Sequence, residues 1–243
     1  MASIQDDQGY NQGFRNSRAL VVRTRRRSDY IISKMNAPRK ETRILEIGCG
    51  TGEMAFLIAT KTNAKVVAID KCSSFIDRAR LNYARENLDF KVGYFGGNGP
   101  GAWIDGAPYD YIVGNGVLHH VYCSIDSTLQ QINALLKNGG AMIFLEPNII
   151  NPYCALIFRQ SFFRKMAKLD PAEMAFSAKF IRQHLVNTGF SEIVIEYKDF
   201  LVPIAPGFLI SPLILAGNML EHVPVLNKLS QSIFISSKKP NAR

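Results

Sequence analysis

The glycine-rich run EIGCGTG, from Glu46 to Gly52, is the segment of this sequence best suited to bind a nucleoside. Its glycines follow the spacing GxGxG, and each lets the backbone pass where a Cβ would collide with a nucleoside lying across strand ends. A dinucleotide fingerprint, GxGxxG, needs a further glycine at the position of Glu53, whose negative charge would instead face a pyrophosphate. The spacing therefore disfavours a nicotinamide dinucleotide and an oxidoreductase that uses one.

A carboxylate follows the glycine turn at the separation expected for a ribose ligand. Asp70 closes the strand-like run KVVAID, about 20 residues after Gly48. A carboxylate there can accept hydrogen bonds from both ribose hydroxyls. A glycine triplet by itself can be a simple tight turn. Here, however, a strand precedes it, a helix follows it and an acid closes the next strand, and together these features indicate a nucleoside site.

Two adjacent histidines, His119 and His120, are the side chains best suited to move a proton. They follow the strand-like run YDYIVG, so we expect them at the same sheet edge as the glycine turn. A histidine titrates near neutrality and can act as a general base. Adjacent side chains point in different directions, so we expect one of the two, His120, to face the substrate. The simpler role open to either is a hydrogen bond that holds the loop.

Strand and helix patterns alternate along the chain and predict a doubly wound α/β sheet. Strands are expected at 43–47, 65–70, 89–92, 109–114, 141–145, 192–197 and 232–236, and helices at 10–36, 53–60, 126–137 and 177–187. A further helix should begin at Ser73 or Ser74 as N-cap and run to about residue 85. Segments 147–175 and 200–229 exceed what the sheet needs, and we expect them to cover its ligand crevice.

The 243 residues are 47% hydrophobic and 20% charged, which is typical of one globular domain with a full core. Four scattered cysteines without a CxxC pair predict neither a zinc site nor a redox dithiol, and we expect no bound metal. Most of the net charge of +9 lies in residues 1–43. Such a cluster can attract nucleic acid, anionic lipid or an acidic substrate, although a solvated helix face is the simpler interpretation.

No signal peptide is apparent at the start, and prolines interrupt the longest uncharged run, 200–220. We therefore expect a cytoplasmic protein. Segment 147–168 mixes aromatic, aliphatic and basic residues, so peripheral contact with an anionic inner-membrane surface stays open. Packing of that segment over the site is the first interpretation.

The run ILEIGCGTGEMAFLIA, with VVAID one strand later and YDYIVGNGVLHHV before a helix and a fifth strand, resembles class I S-adenosylmethionine-dependent methyltransferases. The similarity is greatest to the methyltransferase type 11-like group that acts on small molecules and lipids, and it spans about residues 43–146. It implies a Rossmann-like seven-stranded sheet in a single domain, 1–243. The implied parts are an N-terminal helical lid (1–42), a cofactor-binding core (43–146), and substrate-covering insertions after strands 5 and 6 with the final strands (147–243).

The resemblance also implies S-adenosylmethionine as cofactor, S-adenosylhomocysteine as product, and roles for single residues. At the cofactor it places Glu46, Gly48, Cys49, Gly50, Gly52, Asp70, Lys71, Asn115, Gly116 and Val117. Tyr94 or Phe95 stands where the family often has an acid beside the adenine, and aromatic stacking by either of them or by Trp103 would replace that acid's hydrogen bond. The catalytic candidates are His120 and His119, and the substrate candidates are Tyr10, Arg15, Glu146 and Asn148.

Methyl transfer from a sulfonium is an in-line displacement by an O, N or C nucleophile, so the protein mainly aligns the reactants and excludes water. The apolar segments 147–175 and 200–229 favour a small, apolar or amphipathic acceptor such as a biosynthetic intermediate. The run from Asn115 to Leu118 lacks the N/D-P-P-Y motif of enzymes that methylate DNA bases or protein glutamine, and no RNA-binding module is recognisable. The alternatives are an RNA or protein methyltransferase that uses the basic N-terminus, and a non-catalytic S-adenosylmethionine-binding subunit.

Overall fold

The computed structural model describes residues 17–95, 108–203 and 205–241. The strands are β1 (Arg43–Ile47), β2 (Lys65–Asp70), β3 (Leu88–Val92), β4 (Tyr109–Asn115), β5 (Leu136–Pro147), β6 (Ser191–Lys198) and β7 (Ser232–Lys238). The helices are α1 (Arg18–Ser33), α2 (Glu53–Thr62), α3 (Ser73–Asn82), α4 (Ile125–Leu135), α5 (Pro152–Arg159), α6 (Ser161–Met166), α7 (Ala178–Asn187) and α8 (Ile210–Leu220). Short 3₁₀ turns lie at Leu118–Ser124, Gly207–Leu209 and Leu226–Leu229.

The strands form one sheet in the order β3-β2-β1-β4-β5-β7-β6. Strands β1 to β5 are parallel to one another, and β7 runs antiparallel between β5 and β6. The predicted seven-stranded doubly wound fold is therefore confirmed. The strand order reverses between β1 and β4, and a crevice outside the carboxyl ends of the strands at such a point is where this architecture binds ligands.

Helices cover both faces of the sheet, which explains why its central strands are nearly continuous apolar runs. On one face Ile44 of β1 packs in a cluster with residues of α1, α2 and α3. On the other face Leu45 packs with residues of α4 and α7. Because alternate residues of one strand point to opposite faces, RILEI supplies both halves of the core.

Several predicted helix ends were wrong, and two of the differences have a clear physical reason, one local and one distant in sequence. The N-cap of α3 is Cys72 rather than Ser73 or Ser74, because the carboxylate of Asp70 accepts the backbone N–H of Cys72 and sets the chain for the helix. Helix α4 ends at Leu135 rather than at residue 137, because β5 already begins at Leu136, where it pairs with β4.

The two long segments hold helices of their own, α5 and α6 after β5, and α8 between β6 and β7. None of the described helices is both long and apolar enough to cross a membrane. The division of the chain into lid, cofactor core and substrate-covering parts stays a prediction.

Candidate active site

The three glycines of the turn after β1 all have left-handed backbone conformations, with φ of +67°, +54° and +89° at Gly48, Gly50 and Gly52. A Cβ on Gly48 would stand 2.5 Å from the side chain of Val117, and one on Gly52 would stand 2.7 Å from the ring of Phe90. A Cβ on Gly50 would meet no described atom within 4 Å. Gly52 is thus required for packing inside the protein, whereas Gly50 borders open space.

Asp70 holds the glycine turn in place from the end of β2. Its Oδ2 accepts the backbone N–H of Gly50 at 2.8 Å, and its Oδ1 accepts that of Cys72 at 2.9 Å. Each carboxylate oxygen has a second lone pair, so these bonds leave acceptor capacity for a ligand hydroxyl. Asp70 therefore joins β1 and β2 at the crevice and also lines it.

A cavity of about 340 Å³ opens at the carboxyl ends of β1, β2 and β4. Of the predicted site residues, its described wall includes Gly48, Gly50, Asp70, Lys71, Tyr94, Phe95, Asn115, Gly116, Val117 and His120. The volume is in the range typical of small-molecule sites, about 300 to 1,000 Å³. Two larger depressions lie elsewhere, one beside His184 and one at the amino ends of β1 to β3, and neither contains the glycine turn.

Six predicted site residues do not line the cavity: Glu46, Cys49, Gly52, His119, Glu146 and Asn148. Tyr10, Arg15 and Trp103 lie outside the described residues.

Glu46 and Cys49 are buried beneath the glycine turn. Burial raises the pKa of Glu46 to about 8, and the charges of Glu53 and Asp70 add to the effect. Burial also raises the pKa of the Cys49 thiol, with Glu46 and Asp70 adding to it, so this thiol stays protonated and unreactive. Oε2 of Glu46 has no hydrogen-bond partner among the described residues, which fits a carboxyl group held neutral.

Glu146, predicted to contact substrate, does not line the cavity, and its buried carboxylate is bonded inside the protein. Its oxygens accept the backbone N–H groups of Val117 at 3.0 Å, Leu118 at 2.8 Å and His119 at 3.2 Å. Oε2 also lies 2.9 Å from Nδ1 of His119. Glu146 therefore fixes the turn after β4, which carries the histidines.

His119 is buried and is not placed to meet a substrate, contrary to its prediction as a second catalytic candidate. Burial and the neighbouring His120 lower the pKa of His119, despite the hydrogen bond to Glu146. The ring is therefore neutral near pH 7 and donates from Nδ1 to the carboxylate. This is the loop-holding role that the sequence left open for either histidine.

His120 lines the cavity and pairs with a residue that the sequence did not single out, Glu173. Nδ1 of His120 lies 2.8 Å from Oε1 of Glu173, whose side chain is buried. Oε2 of Glu173 is also buried and has no hydrogen-bond partner among the described residues. The sequence does contain one signal that could have drawn attention to Glu173: it and Asp170 are the only acids in the basic, apolar segment 148–175.

The segment after β5 reaches the histidines by two further contacts. The backbone N–H of Met174 donates to the carbonyl of His119 at 3.2 Å, and the ring of Phe158 meets the His119 ring edge-on at 5.8 Å. Segment 147–175 therefore packs against the turn that carries the histidines, and its predicted role as a cover of the crevice stays a prediction. Asn148, predicted to contact substrate, is instead buried and donates to the carbonyls of Lys228 and Ser230.

His119, His120 and Glu173 each offer one possible metal ligand, all within 4.8 Å of one another. The two imidazole rings face each other, with centroids 4.1 Å apart and 34° between their planes. An imidazole binds a metal in the plane of its ring, so facing rings direct their lone pairs along separate lines rather than to one ion. The arrangement is better suited to handling a proton than to binding a metal.

Asn115 connects the cavity to α1. Its Oδ1 accepts a hydrogen bond from Arg27 at 2.7 Å, and Arg27 also contacts the buried carboxylate of Asp199, as does Arg23. Burial alone would raise the pKa of Asp199, but the two guanidinium groups lower it below its ordinary value. Asp199 therefore stays charged between its two cationic partners. The pKa of Arg23 is lowered to about 10, mainly by burial and also by the positive charge of Arg27.

The residues present fit an S-adenosyl cofactor. Gly50 borders open space, so a ligand can approach its backbone closely. Asp70 has remaining acceptor capacity for a ribose, and Tyr94 and Phe95 offer aromatic surface to an adenine. The same residues suit a pyrophosphate poorly, because the carboxylates of Asp70 and Glu53 place negative charge at the turn and would repel it.

Comparison with known proteins agrees with this geometry. The profile of the methyltransferase domain family matches residues 38–195, more than half of the chain. A stretch of 87 residues, 35% of this chain and 39% of the relative, is 38% identical to a protein-L-isoaspartate O-methyltransferase of Methanoculleus marisnigri. A stretch of 122 residues, 49% of this chain and 48% of the relative, is 29% identical to a ubiquinone biosynthesis O-methyltransferase of Pelagibacter ubique. The chain spans less than half the length of these curated relatives.

One solved structure of similar fold is the methyltransferase in a complex with the Haloferax volcanii Trm112 methyltransferase activator. It superposes with a TM-score of 0.68 at 14% identity, over 98% of this chain and 100% of that chain. At this identity the likeness supports the fold alone.

Proposed function

The chain belongs to the methyltransferase domain family, and we propose that it transfers a methyl group from S-adenosylmethionine to a small, apolar or amphipathic acceptor. The observation that carries the proposal is the single cavity wall formed by the glycine turn, Asp70, Asn115 and His120. When bound, S-adenosylmethionine supplies an electrophilic methyl group and leaves as S-adenosylhomocysteine.

The cofactor-facing residues bind and orient. Asp70 would accept hydrogen bonds from the ribose hydroxyls, while its bonds to Gly50 and Cys72 hold the turn. By the resemblance to the family, Lys71, Tyr94 and Phe95 would hold the adenine end, and Asn115, Gly116 and Val117 would hold the methionine end. All six line the cavity. The hydrogen bond from Arg27 orients the Asn115 amide, so α1 helps to shape the cavity.

His120 is the proposed general base. The buried carboxylate of Glu173 accepts the proton on Nδ1 of His120, which makes Nε2 the basic nitrogen. With the cofactor bound, Nε2 of His120 would take the proton that the acceptor atom loses when it is methylated. Glu173 positions the ring and stabilises the imidazolium that results. Glu146 and His119 hold the turn beneath it.

A small, apolar or amphipathic acceptor is supported by the apolar segment after β5, which packs against the turn that carries the histidines. Glu173 and Met174, from the segment after β5, contact the two histidines directly. The curated relatives act, by their names, on protein isoaspartate and in ubiquinone biosynthesis, so they leave the acceptor class open. The alternative of an RNA or protein acceptor bound by the basic N-terminus loses two cations, because Arg23 and Arg27 are committed to Asp199, but Arg18 and Arg25 stay exposed.

Calorimetric titration of S-adenosylhomocysteine and of NADH tests the proposal, using protein stripped of co-purified ligand. We expect saturable binding of S-adenosylhomocysteine alone, weakened at least about tenfold (1.4 kcal/mol) by Asp70→Ala. The matched control Asp77→Ala removes an exposed carboxylate of α3 and should bind like the wild type. No binding by folded wild type, or binding of NADH, contradicts the proposal. Turnover of labelled methyl donor with an acceptor panel then separates an enzyme from a non-catalytic subunit.

A further inference from the structure

We propose that the segment from Pro206 to Leu229, with the flanking side of α1, forms a surface that binds an anionic lipid bilayer. We call it the 206–229 surface. Its exposed large apolar side chains are Phe208, Leu209, Leu215, Met219, Val223, Val225, Leu226 and Leu229. Apolar side chains exposed in such number mark a membrane or partner site rather than ordinary protein surface.

Helix α8 uses only one side of its apolar sequence within the protein. Leu213 and Ile214 pack against α1 in a cluster that includes Ala19. Leu215 and Met219, one helical turn apart and therefore on one side, are 66% and 67% exposed. Phe208, in the turn that precedes α8, is 79% exposed. The protein interior therefore does not account for the second apolar side of α8.

The acidic groups of this region are turned inward and neutralised. Asp199 and Glu221 are the only acids between residues 199 and 231. Asp199 pairs with two buried arginines, and Glu221, also nearly inaccessible, pairs with Lys198. The 206–229 surface therefore presents no carboxylate of its own to an approaching bilayer.

Exposed basic side chains border the apolar ones. Arg18 lies beside Gly207, with its Cδ 3.9 Å from where a Cβ would stand. Arg18 and Lys228 are exposed and have no ion pair among the described residues. Asp29, further along α1, is paired with Lys61.

Apolar side chains bordered by unpaired positive charge match an anionic bilayer, where headgroups attract the charge and the acyl boundary receives the apolar groups. A symmetric contact between two copies would bring the positive side chains together, which disfavours self-association. The proposal does not depend on methyl transfer and is tested without it.

Vesicle flotation provides the test. We expect the wild type to bind phosphatidylcholine vesicles containing phosphatidylglycerol at least about tenfold more tightly than phosphatidylcholine alone, with weaker binding in high salt. The double variant Leu215→Glu with Met219→Glu should lose at least about tenfold in binding. Leu81→Glu changes an exposed leucine of α3 and should bind like the wild type. Arg18→Gln with Lys228→Gln should reduce binding to the anionic vesicles only.

Three results would overturn the proposal. The first is no binding of the folded wild type to anionic vesicles, and the second is a loss of vesicle binding in Leu81→Glu equal to that of the double variant. The third is a wild-type dimer in sedimentation velocity that Leu215→Glu with Met219→Glu dissociates. The last would assign the surface to a second copy of the chain. Circular dichroism confirms that each variant is folded. Titration of S-adenosylhomocysteine into the same variants is independent, so failure of the lipid proposal and failure of the proposed function are read separately.

Discussion

The carboxylate of Glu146, at the end of β5, lies 2.9 Å from Nδ1 of His119 and also accepts three backbone N–H groups of the turn after β4. The adjacent His120 meets a different carboxylate, that of Glu173. Two neighbouring histidines thus have separate acidic partners, and among the described residues only His120 of the pair lines the cavity. The same local sequence therefore supplies one structural and one proposed catalytic side chain.

Glu146→Gln should lower the free energy of unfolding by about 2 to 4 kcal/mol, because an amide oxygen cannot replace two acceptor oxygens and the amide nitrogen would face N–H groups. Urea unfolding measures the change. Glu192→Gln, on an exposed carboxylate of β6, is the matched control and should change stability by less than about 0.5 kcal/mol. Similar effects of the two variants would show that the buried bonds of Glu146 contribute little.

Gly50→Ala and Gly52→Ala should separate ligand binding from stability. At Gly52 the new Cβ would stand 2.7 Å from Phe90 and 2.8 Å from Ala79, so we expect a loss of about 3 kcal/mol or more in urea unfolding. At Gly50 it would meet no described atom, so only the left-handed backbone costs stability, about 1 to 2 kcal/mol. Gly50→Ala should nevertheless weaken S-adenosylhomocysteine binding at least about tenfold. The opposite order of stabilities would contradict this assignment.

Once an acceptor is identified, His120→Ala should lower kcat by about 10² to 10⁴. Glu173→Gln should lower kcat by about tenfold with little change in KM or in S-adenosylhomocysteine affinity, because its oxygen can still accept from the ring but its charge is gone. Steady-state kinetics and calorimetry measure the two effects. An unchanged kcat in Glu173→Gln, or an equal loss of cofactor affinity, would remove Glu173 from the mechanism.

Glu46 should make the folded state less stable as pH rises. Burial raises its pKa from an ordinary 4.5 to about 8, so between these values the folded state binds more protons than the unfolded state. The free energy of unfolding therefore falls as pH increases from about 4.5 to 8. Glu46→Gln should remove this slope and be more stable than the wild type at pH 8, by roughly 2 to 4 kcal/mol.

Chemical unfolding at a series of pH values measures this difference. Glu41→Gln, at an exposed glutamate, should leave the wild-type slope unchanged. Parallel pH curves for Glu46→Gln and the wild type would mean that Glu46 is charged in the folded protein.

Asp199→Asn should destabilise the protein by about 3 to 5 kcal/mol, because it leaves two guanidinium groups buried without an anion. The lowered pKa of Asp199 gives stability that is present at neutral pH and lost only as pH falls below its ordinary value of 3.8. Hydrogen exchange should show faster opening of α1. The control Asp126→Asn removes a half-exposed carboxylate beside His184, and an equal effect there would rule out a special role for Asp199.

The local part of the site could be predicted from the sequence because each feature depends on near neighbours. The turn after β1 needs glycine wherever φ is positive, and an acid at the end of β2 lies at the crevice because parallel strands share one carboxyl edge. Gly48, Gly50 and Asp70 lie together at the cavity for that reason, and their role in cofactor binding stays a prediction. The apolar runs of the central strands likewise predicted a sheet covered on both faces.

The roles of the polar residues elsewhere around the site were decided by partners far away in the sequence. Glu146 was predicted to contact substrate, but it turns to a loop 27 residues earlier. Arg27 was one of several basic residues, and only the packing of α1 brings it to Asp199, 172 residues later.

The sequence by itself determined the fold class, the cofactor turn and the sheet edge that carries the site, since these follow from backbone sterics and short-range periodicity. Only the tertiary structure decided which histidine is buried, that Glu173 meets His120, and that one side of α8 is left exposed. Burial and long-range hydrogen bonding depend on how separate elements pack, and a buried carboxylate takes whichever donors that packing brings within reach.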